Sequence, residues 1–294
     1  MRDTNINLET EVKLWQEKLF SRSIRRNRKL ERITNLVGSS HNLQCLEISA
    51  GDGMISVKLR KLGGSWQTAV TNQKAADSLA YSLNEPITLF EDEKLPFEDH
   101  TIDRLVLVDA LEGILDDYEF LRECHRVLKN DCWVIISETR RAPISLVALF
   151  QRVFGVSPVS NGERRNGYTA NELFNILKDG YDVPETISYS NGLFEIAATF
   201  GDLIQKNMTD GPYWKVRANI GQEALYKYRR LFSISGFTYP ISWLLSQLEF
   251  LPGHKLLVKS RRRHWRPRVQ PKLIDGRSIA EAAINTKIGT AAPF

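Results

Sequence analysis

The chain has 294 residues, 42% of them hydrophobic and 26% charged, with 40 basic against 35 acidic side chains. This composition excludes wholesale disorder, a collagen-like repeat and a disulfide scaffold, and the length allows one or two domains. No run approaches the roughly 18 apolar residues of a membrane span. The polar start, Met1 to Asn5, predicts no secretory leader. Three cysteines without a Cys-x-x-Cys pair read as buried thiols in a reducing cytosol, so the expected location is cytoplasmic.

Residues 8–37 predict an amphipathic helix pair, with Leu14, Trp15, Leu19 and Phe20 followed by Ile24, Leu30, Ile33 and Leu36 at helical spacing. Gln44 to Ser49 is an apolar run of strand length. It opens through Ala50-Gly51-Asp52-Gly53 onto a helix carrying Met54, Val57, Leu59 and Leu62, with a stop at Gly63-Gly64. Strands are expected at Trp66 to Thr71, Pro86 to Phe90, Arg104 to Asp109 and Cys132 to Ser137, and helices at 74–83 and 116–128. Strands alternating with helices of about ten residues indicate βαβ units, hence a doubly wound, mostly parallel α/β sheet.

Beyond Glu138 the pattern changes. Residues 143–155 predict an apolar helix or lid, and 156–167 a polar loop. Thr169-Ala-Asn-Glu172 has the spacing of a capping box opening the next helix. A strand is expected at 184–190, an aromatic-rich helical segment at 193–251 that includes Tyr213 and Trp214, and a returning strand at Lys255 to Lys259. The organisation expected is thus an N-terminal helical segment (1–40), a cofactor-binding core (41–142), a helical acceptor region with the last strands (143–260), and a basic, loosely ordered tail (261–294).

Charge is unevenly spread along these segments. Lys255 to Lys272 holds eight basic residues and no acid, and Arg22, Arg25, Arg26, Arg28, Lys29 and Arg32 form a second basic cluster. Residues 91–119 hold eleven acids against Lys94 and Arg104. This asymmetry suits an anionic partner at the ends and a cationic or polar ligand near the middle, with a solvated face as the plain alternative for any one cluster.

A glycine turn at a strand's carboxyl end lets a ligand approach the backbone closely. The dinucleotide spacing Gly-x-Gly-x-x-Gly is absent, and so is a lysine-containing phosphate loop. Glu47-Ile-Ser-Ala-Gly-Asp-Gly53 resembles instead the first motif of class I S-adenosylmethionine-dependent methyltransferases. The segment from Leu95-Pro-Phe through Ile102-Asp to Asp109-Ala-Leu-Glu112 is similar to that family's next conserved stretch. Leu121 to Lys129 resembles its following helix, and Gly167-Tyr-Thr a recurrent helix start in the type 11 subgroup. The resemblance covers residues 40–140 closely. It implies a seven-stranded Rossmann-like sheet, its last strand antiparallel, with the cofactor across the strand carboxyl ends.

Residue by residue, the resemblance implies that Glu47 faces the methionine amino group and that Ser49, Gly51 and Gly53 form the cofactor turn. Thr71 would serve the ribose, Glu91 or Asp92 the adenine with Leu95 nearby, and Asp109 and Leu111 the methionine and sulfonium side. Three positions depart from the family pattern: Ser49 replaces a glycine, Thr71 or Asn72 an acid, and Gly113 a histidine. Weaker cofactor binding is therefore expected. Asp109, Glu112, His100 and Tyr168 are the general-base candidates, needed only for a hydroxyl or protonated-amine acceptor, and no metal site is expected.

The expected function is methyl transfer to a small-molecule, lipid-linked or saccharide acceptor. The helix Ile241 to Leu251 and the basic run after it suggest peripheral contact with an anionic membrane surface, at its inner face. A catalytically silent binding protein and a nucleic-acid methyltransferase are the alternatives. The second is disfavoured because Trp265 is the lone aromatic interleaved in the basic run 255–272.

Overall fold

The computed structural model describes residues 2–49, 51, 53–91, 93–142, 145–208, 222–248, 250–251 and 253–266. Asp92, the pair Tyr213 and Trp214, and the tail from residue 267 lie outside the described residues. In chain order the elements are α1 (Arg2–Arg22), α2 (Ile24–Val37), β1 (Gln44–Ser49), α3 (Met54–Arg60), β2 (Ser65–Val70), α4 (Gln73–Leu83), β3 (Thr88–Leu89), β4 (Ile102–Val108) and α5 (Asp117–Val127). They continue with β5 (Leu128–Thr139), α6 (Leu146–Val153), α7 (Ala170–Leu177), β6 (Tyr181–Asn191), α8 (Gly192–Met208), α9 (Gln222–Ser246) and β7 (Gly253–Arg262).

The seven strands form one sheet in the order β3-β2-β1-β4-β5-β7-β6. β1 to β5 pair in parallel, whereas β7 is antiparallel to both β5 and β6. This is the Rossmann-like architecture expected. Alternation along the strands sends successive side chains to opposite faces. Leu105 and Leu107 of β4 join Val134 and Ile136 of β5 on one face, under Phe120 and Leu121 of α5 and Leu173 of α7. Val106, Val108 and Ile135 point to the other face, under Ile33 and Val37 of α2 and Leu59 of α3. β4 and β5 are thus covered on both sides, which is why their runs are continuously apolar.

Local chemistry sets the boundaries. The Ser23 hydroxyl accepts the Arg26 N–H at 3.4 Å and divides the expected helix pair. α1 then leaves the sheet and packs Val12 and Leu19 against Leu225, Tyr228 and Leu231 of α9. Thr169 and Glu172 form the reciprocal capping box, with N–H to oxygen distances of 3.1 Å and 2.8 Å.

The basic run from Lys255 needs correction. Residues 255–262 form an interior strand in which Lys255 and Arg262 turn inward, while Arg261 stays exposed and pairs with Asp131 at 3.0 Å. The Arg262 Nε donates to His125 O at 2.8 Å, and the Lys255 ammonium donates to the Thr139 hydroxyl at 2.9 Å. Lys255 and Arg262 are thus spent inside the fold rather than on a polybasic surface.

Candidate active site

β1 delivers the glycine turn to the carboxyl edge of the sheet. The Gly51 N–H donates to the Ser49 hydroxyl at 3.2 Å, so the serine standing at the usual glycine position holds the turn closed. Gly53 follows at φ 84° and caps α3. A Cβ on Gly53 would lie 2.8 Å from Ser82 Cβ, so both conformation and space demand glycine there.

Glu47, two residues before Ser49, is fully buried. Its Oε1 accepts the Ser56 hydroxyl at 2.7 Å, and its Oε2 lies 3.8 Å from the Arg60 guanidinium without a hydrogen-bond partner. Burial pushes its pKa up to about 7, against the opposing pull of Ser56, Arg60 and Thr68.

A second group of carboxyls sits at the ends of β4 and β5. Asp109 takes a left-handed backbone (φ 50°) and pairs with the Lys29 ammonium, which α2 brings over the sheet edge. Glu112 is buried in the short turn Leu111–Gly113, where its Oε1 accepts the Thr139 N–H at 2.9 Å. Glu138 is fully buried, and its Oε1 accepts the N–H groups of Ala110 at 3.1 Å and Leu111 at 2.9 Å. Burial raises the pKa of Glu112, with the Lys255 charge opposing and Asp109 adding to the rise. It raises Glu138 well above the ordinary carboxyl range, reinforced by the charges of Glu112 and Asp109.

A cleft of about 1050 Å³, counted to its open mouth, joins these features. One wall is the turn: Ser49, Gly51 and Gly53. Asp109, Glu112 and Thr139 form the floor, and the opposite wall comes from elements outside the βαβ core. There Arg25 of α2 holds Asp202 of α8 through two hydrogen bonds at 2.9 and 2.7 Å. Arg25 also lies 3.5 Å from Glu195. Burial alone would raise Glu195, but Arg25, Lys255 and His254 outweigh it and hold the carboxyl below its usual range.

The N-terminal basic cluster is thus neither a docking patch nor a solvated face at Arg25, Arg26 and Lys29, which line the cleft. Composition missed this wall because the partners are distant in sequence. Glu163 was missed as well: a Cβ on Gly113 would lie 2.8 Å from its Oε2, so the missing histidine leaves room for this carboxylate.

The expected site residues divide accordingly. Ser49, Gly51, Gly53, Asp109 and Glu112 line the cleft. Glu47 and Leu111 stand buried behind it. Thr71 and Glu91 are exposed at the ends of β2 and β3, and Leu95 is buried nearby, its carbonyl accepting from Arg126 at 2.8 Å. Two general-base candidates are corrected. His100 precedes β4 at the opposite, amino edge of the sheet, its Nδ1 3.1 Å from Leu128 O. Tyr168 is buried, its hydroxyl 3.1 Å from Leu111 O and 2.9 Å from Asp117 Oδ2, so it ties the loop to α5 rather than facing the cleft.

A parallel sheet with a glycine turn after β1 and carboxyls at the switch of strand order defines a Rossmann-like protein built to hold a cofactor at its carboxyl edge. Residues 46–136 match the model of a family described as a methyltransferase domain. This stretch is a class I S-adenosylmethionine-dependent methyltransferase domain, and S-adenosylmethionine is its cofactor. No curated protein matches the sequence.

Solved structures share the fold. Geranyl diphosphate C-methyltransferase from Streptomyces coelicolor A3(2) superposes at a TM-score of 0.52 and 12% identity over 81% of this chain and 78% of that one. The [4+2]-cyclase SpnF gives 0.52 and 13% over 80% of each chain. YcgJ from Bacillus subtilis gives 0.50 and 13% over 81% of this chain and 99% of that one.

The residues present fit the cofactor. The turn leaves space that side chains would fill, the buried Glu47 Oε2 lacks a donor, and the carboxyl-rich edge favours a cation.

Proposed function

We propose that the chain methylates a small polar or amphiphilic acceptor, lipid-linked or saccharide, in the cleft beside the glycine turn. The observation that carries this reading is the cleft's outer wall. Arg25, Lys29, Glu195, Asp202 and Lys255 set donors and acceptors side by side, as a hydroxyl-rich or zwitterionic group requires. Nothing in that wall belongs to the cofactor turn.

When bound, the cofactor supplies an activated methyl on a sulfonium. In this reading Ser49, Gly51 and Gly53 hold its backbone-facing side, Glu47 its amino group and Asp109 and Leu111 its methionine side, while Thr71, Glu91 or Asp92 and Leu95 serve the ribose and adenine. The outer wall orients the acceptor and α6 keeps water from the floor, so alignment supplies much of the rate. Of the general-base candidates, Asp109 and Glu112 line the cleft. Burial raises the pKa of Glu112, which makes it a stronger base toward a hydroxyl than an exposed glutamate.

A second reading, a cofactor-free binding protein, is favoured by the Lys29 ammonium resting on Asp109 and by the absence of an acid after β2. Calorimetric titration with S-adenosylmethionine and S-adenosylhomocysteine separates the two. Micromolar binding, abolished in Gly51→Arg, is expected, and a screen of lipid and saccharide extracts with methyl-labelled cofactor then identifies the acceptor. No binding at millimolar ligand would overturn methyl transfer.

A further inference from the structure

Twelve of the seventeen large hydrophobic side chains exposed among the described residues fall within three short stretches: 146–159, 193–200 and 239–250. The fold brings these stretches together. The Asn191 amide donates to Leu245 O at 2.9 Å, joining the start of α8 to the end of α9. Val147 Cγ2 lies 3.5 Å from the Cβ position of Gly192, joining α6 to the start of α8. Phe150 and Phe200 pack edge to face with centroids 5.1 Å apart, joining the same two helices further along.

α6 is divided between two environments. Val147 and Gln151 are buried, and Gln151 lines the cleft. On the outer side Leu146, Leu149 and Val153 are 72%, 59% and 71% exposed. Leu193, Leu244 and Phe250 extend this apolar surface across α8 and past α9. A monomer gains nothing from leaving so much apolar surface in water at one place.

Charge identifies the occupant. Residues 140–162 contain Arg140, Arg141 and Arg152 and no acid, and residues 231–250 contain Glu249 as their one charged side chain. The acids of α8 nearest the face, Glu195 and Asp202, are buried and turned inward to Arg25. Trp243, 53% exposed, stands beside Leu244, and its amphipathic ring suits the headgroup level of a bilayer. An apolar face with flanking arginines, an interfacial tryptophan and no exposed acid among its described residues complements an anionic lipid surface.

We propose that the outer face of α6, the start of α8 and the end of α9 dock this protein on an anionic bilayer, with the cleft mouth beside the lipid. The proposal deepens the acceptor reading above and rests on it only for the purpose of docking: a lipid-linked acceptor would enter past α6 without leaving the interface. It also moves the membrane contact away from the basic run 255–272, whose residues 255–262 lie in β7.

The test is co-sedimentation of the full chain with vesicles of phosphatidylcholine containing about one quarter phosphatidylglycerol. Binding is expected, weaker on pure phosphatidylcholine. Leu149→Asp with Val153→Asp, and separately Leu244→Asp, should each lower the partition coefficient about tenfold or more. Both variants should keep the wild-type thermal midpoint and affinity for S-adenosylhomocysteine. Absence of vesicle binding at millimolar lipid overturns the proposal, as does binding that neither variant weakens. A wild-type dimer by light scattering that the aspartates dissociate would assign the face to a second copy and overturn it as well. Vesicle binding without S-adenosylhomocysteine binding would leave the docking face standing and remove the acceptor reading.

Discussion

Glu47→Gln tests the electrostatics of the glycine turn directly. The carboxyl is fully buried, with one donor on Oε1 at 2.7 Å and a guanidinium 3.8 Å from Oε2. Burial raises its pKa from the 4.5 of an exposed glutamate to about 7. The folded state therefore holds this proton more tightly than the unfolded chain does. Stability falls as pH rises from about 4.5 and levels off above about 7. Integrated between about pH 5 and 8, this single group removes roughly 2.5 kcal/mol, most of it below pH 7. Glutamine has no such proton and keeps an oxygen for Ser56. In urea unfolding across that range, the stability of the variant relative to wild type should rise by about 2.5 kcal/mol with increasing pH. Comparing the two proteins at each pH cancels the titration of Glu112, Glu138 and the buried histidines. A difference independent of pH would refute the argument, and would mean that Arg60 and Ser56 keep Glu47 ionised throughout.

Lys29→Met removes the cation resting on Asp109, so affinity for S-adenosylmethionine should rise about three- to tenfold relative to that for S-adenosylhomocysteine, because only the former carries the sulfonium charge. Calorimetry with both ligands reads the ratio, and equal changes for the two would place Asp109 away from the sulfonium. Thr169→Ala should cost about 1 kcal/mol in urea unfolding by opening the capping box of α7. Its affinity for S-adenosylhomocysteine should stay at the wild-type value, and a parallel loss of affinity would tie that helix to the cleft.

What the sequence disclosed follows from the range of the interactions involved. β1, β4 and β5 were legible because each is a short apolar run closed by a turn, and their register follows once both faces are covered. The glycine turn was legible because its chemistry is local: Gly53 needs its backbone angle, and Ser49 and Gly51 are two residues apart. β3 shrank to Thr88–Leu89 because it pairs with β2 alone at the sheet edge. β5 began earlier than the apolar run indicated because Leu128 leaves α5 directly into the sheet, pairing with Ile102. Nothing in the charge pattern distinguished Arg25 and Lys29 from a solvated helix face, since their carboxylates lie 177 and 80 residues away.

The same distinction explains where this chain departs from the pattern that residues 46–136 otherwise match. Two of the three departures fall in the region that the added helices approach or that the turn itself stabilises, and the third, Thr71 or Asn72, stands exposed at the end of β2. Ser49 substitutes a side-chain hydrogen bond for the conformational freedom of glycine. Gly113 yields its space to Glu163. Lys29, from a helix ahead of the core, pairs with the carboxylate at the end of β4. None of these changes disturbs β1, β4 or the turn between β1 and α3, so the cofactor half keeps its geometry. The outer wall of the cleft is assembled from α2, α6, α8 and β7, all outside or at the edge of residues 46–136. In the proposed reading, selectivity for the acceptor is therefore a property of long-range packing in this chain. Substitutions in that wall should alter which acceptor is methylated before they alter how the cofactor is held.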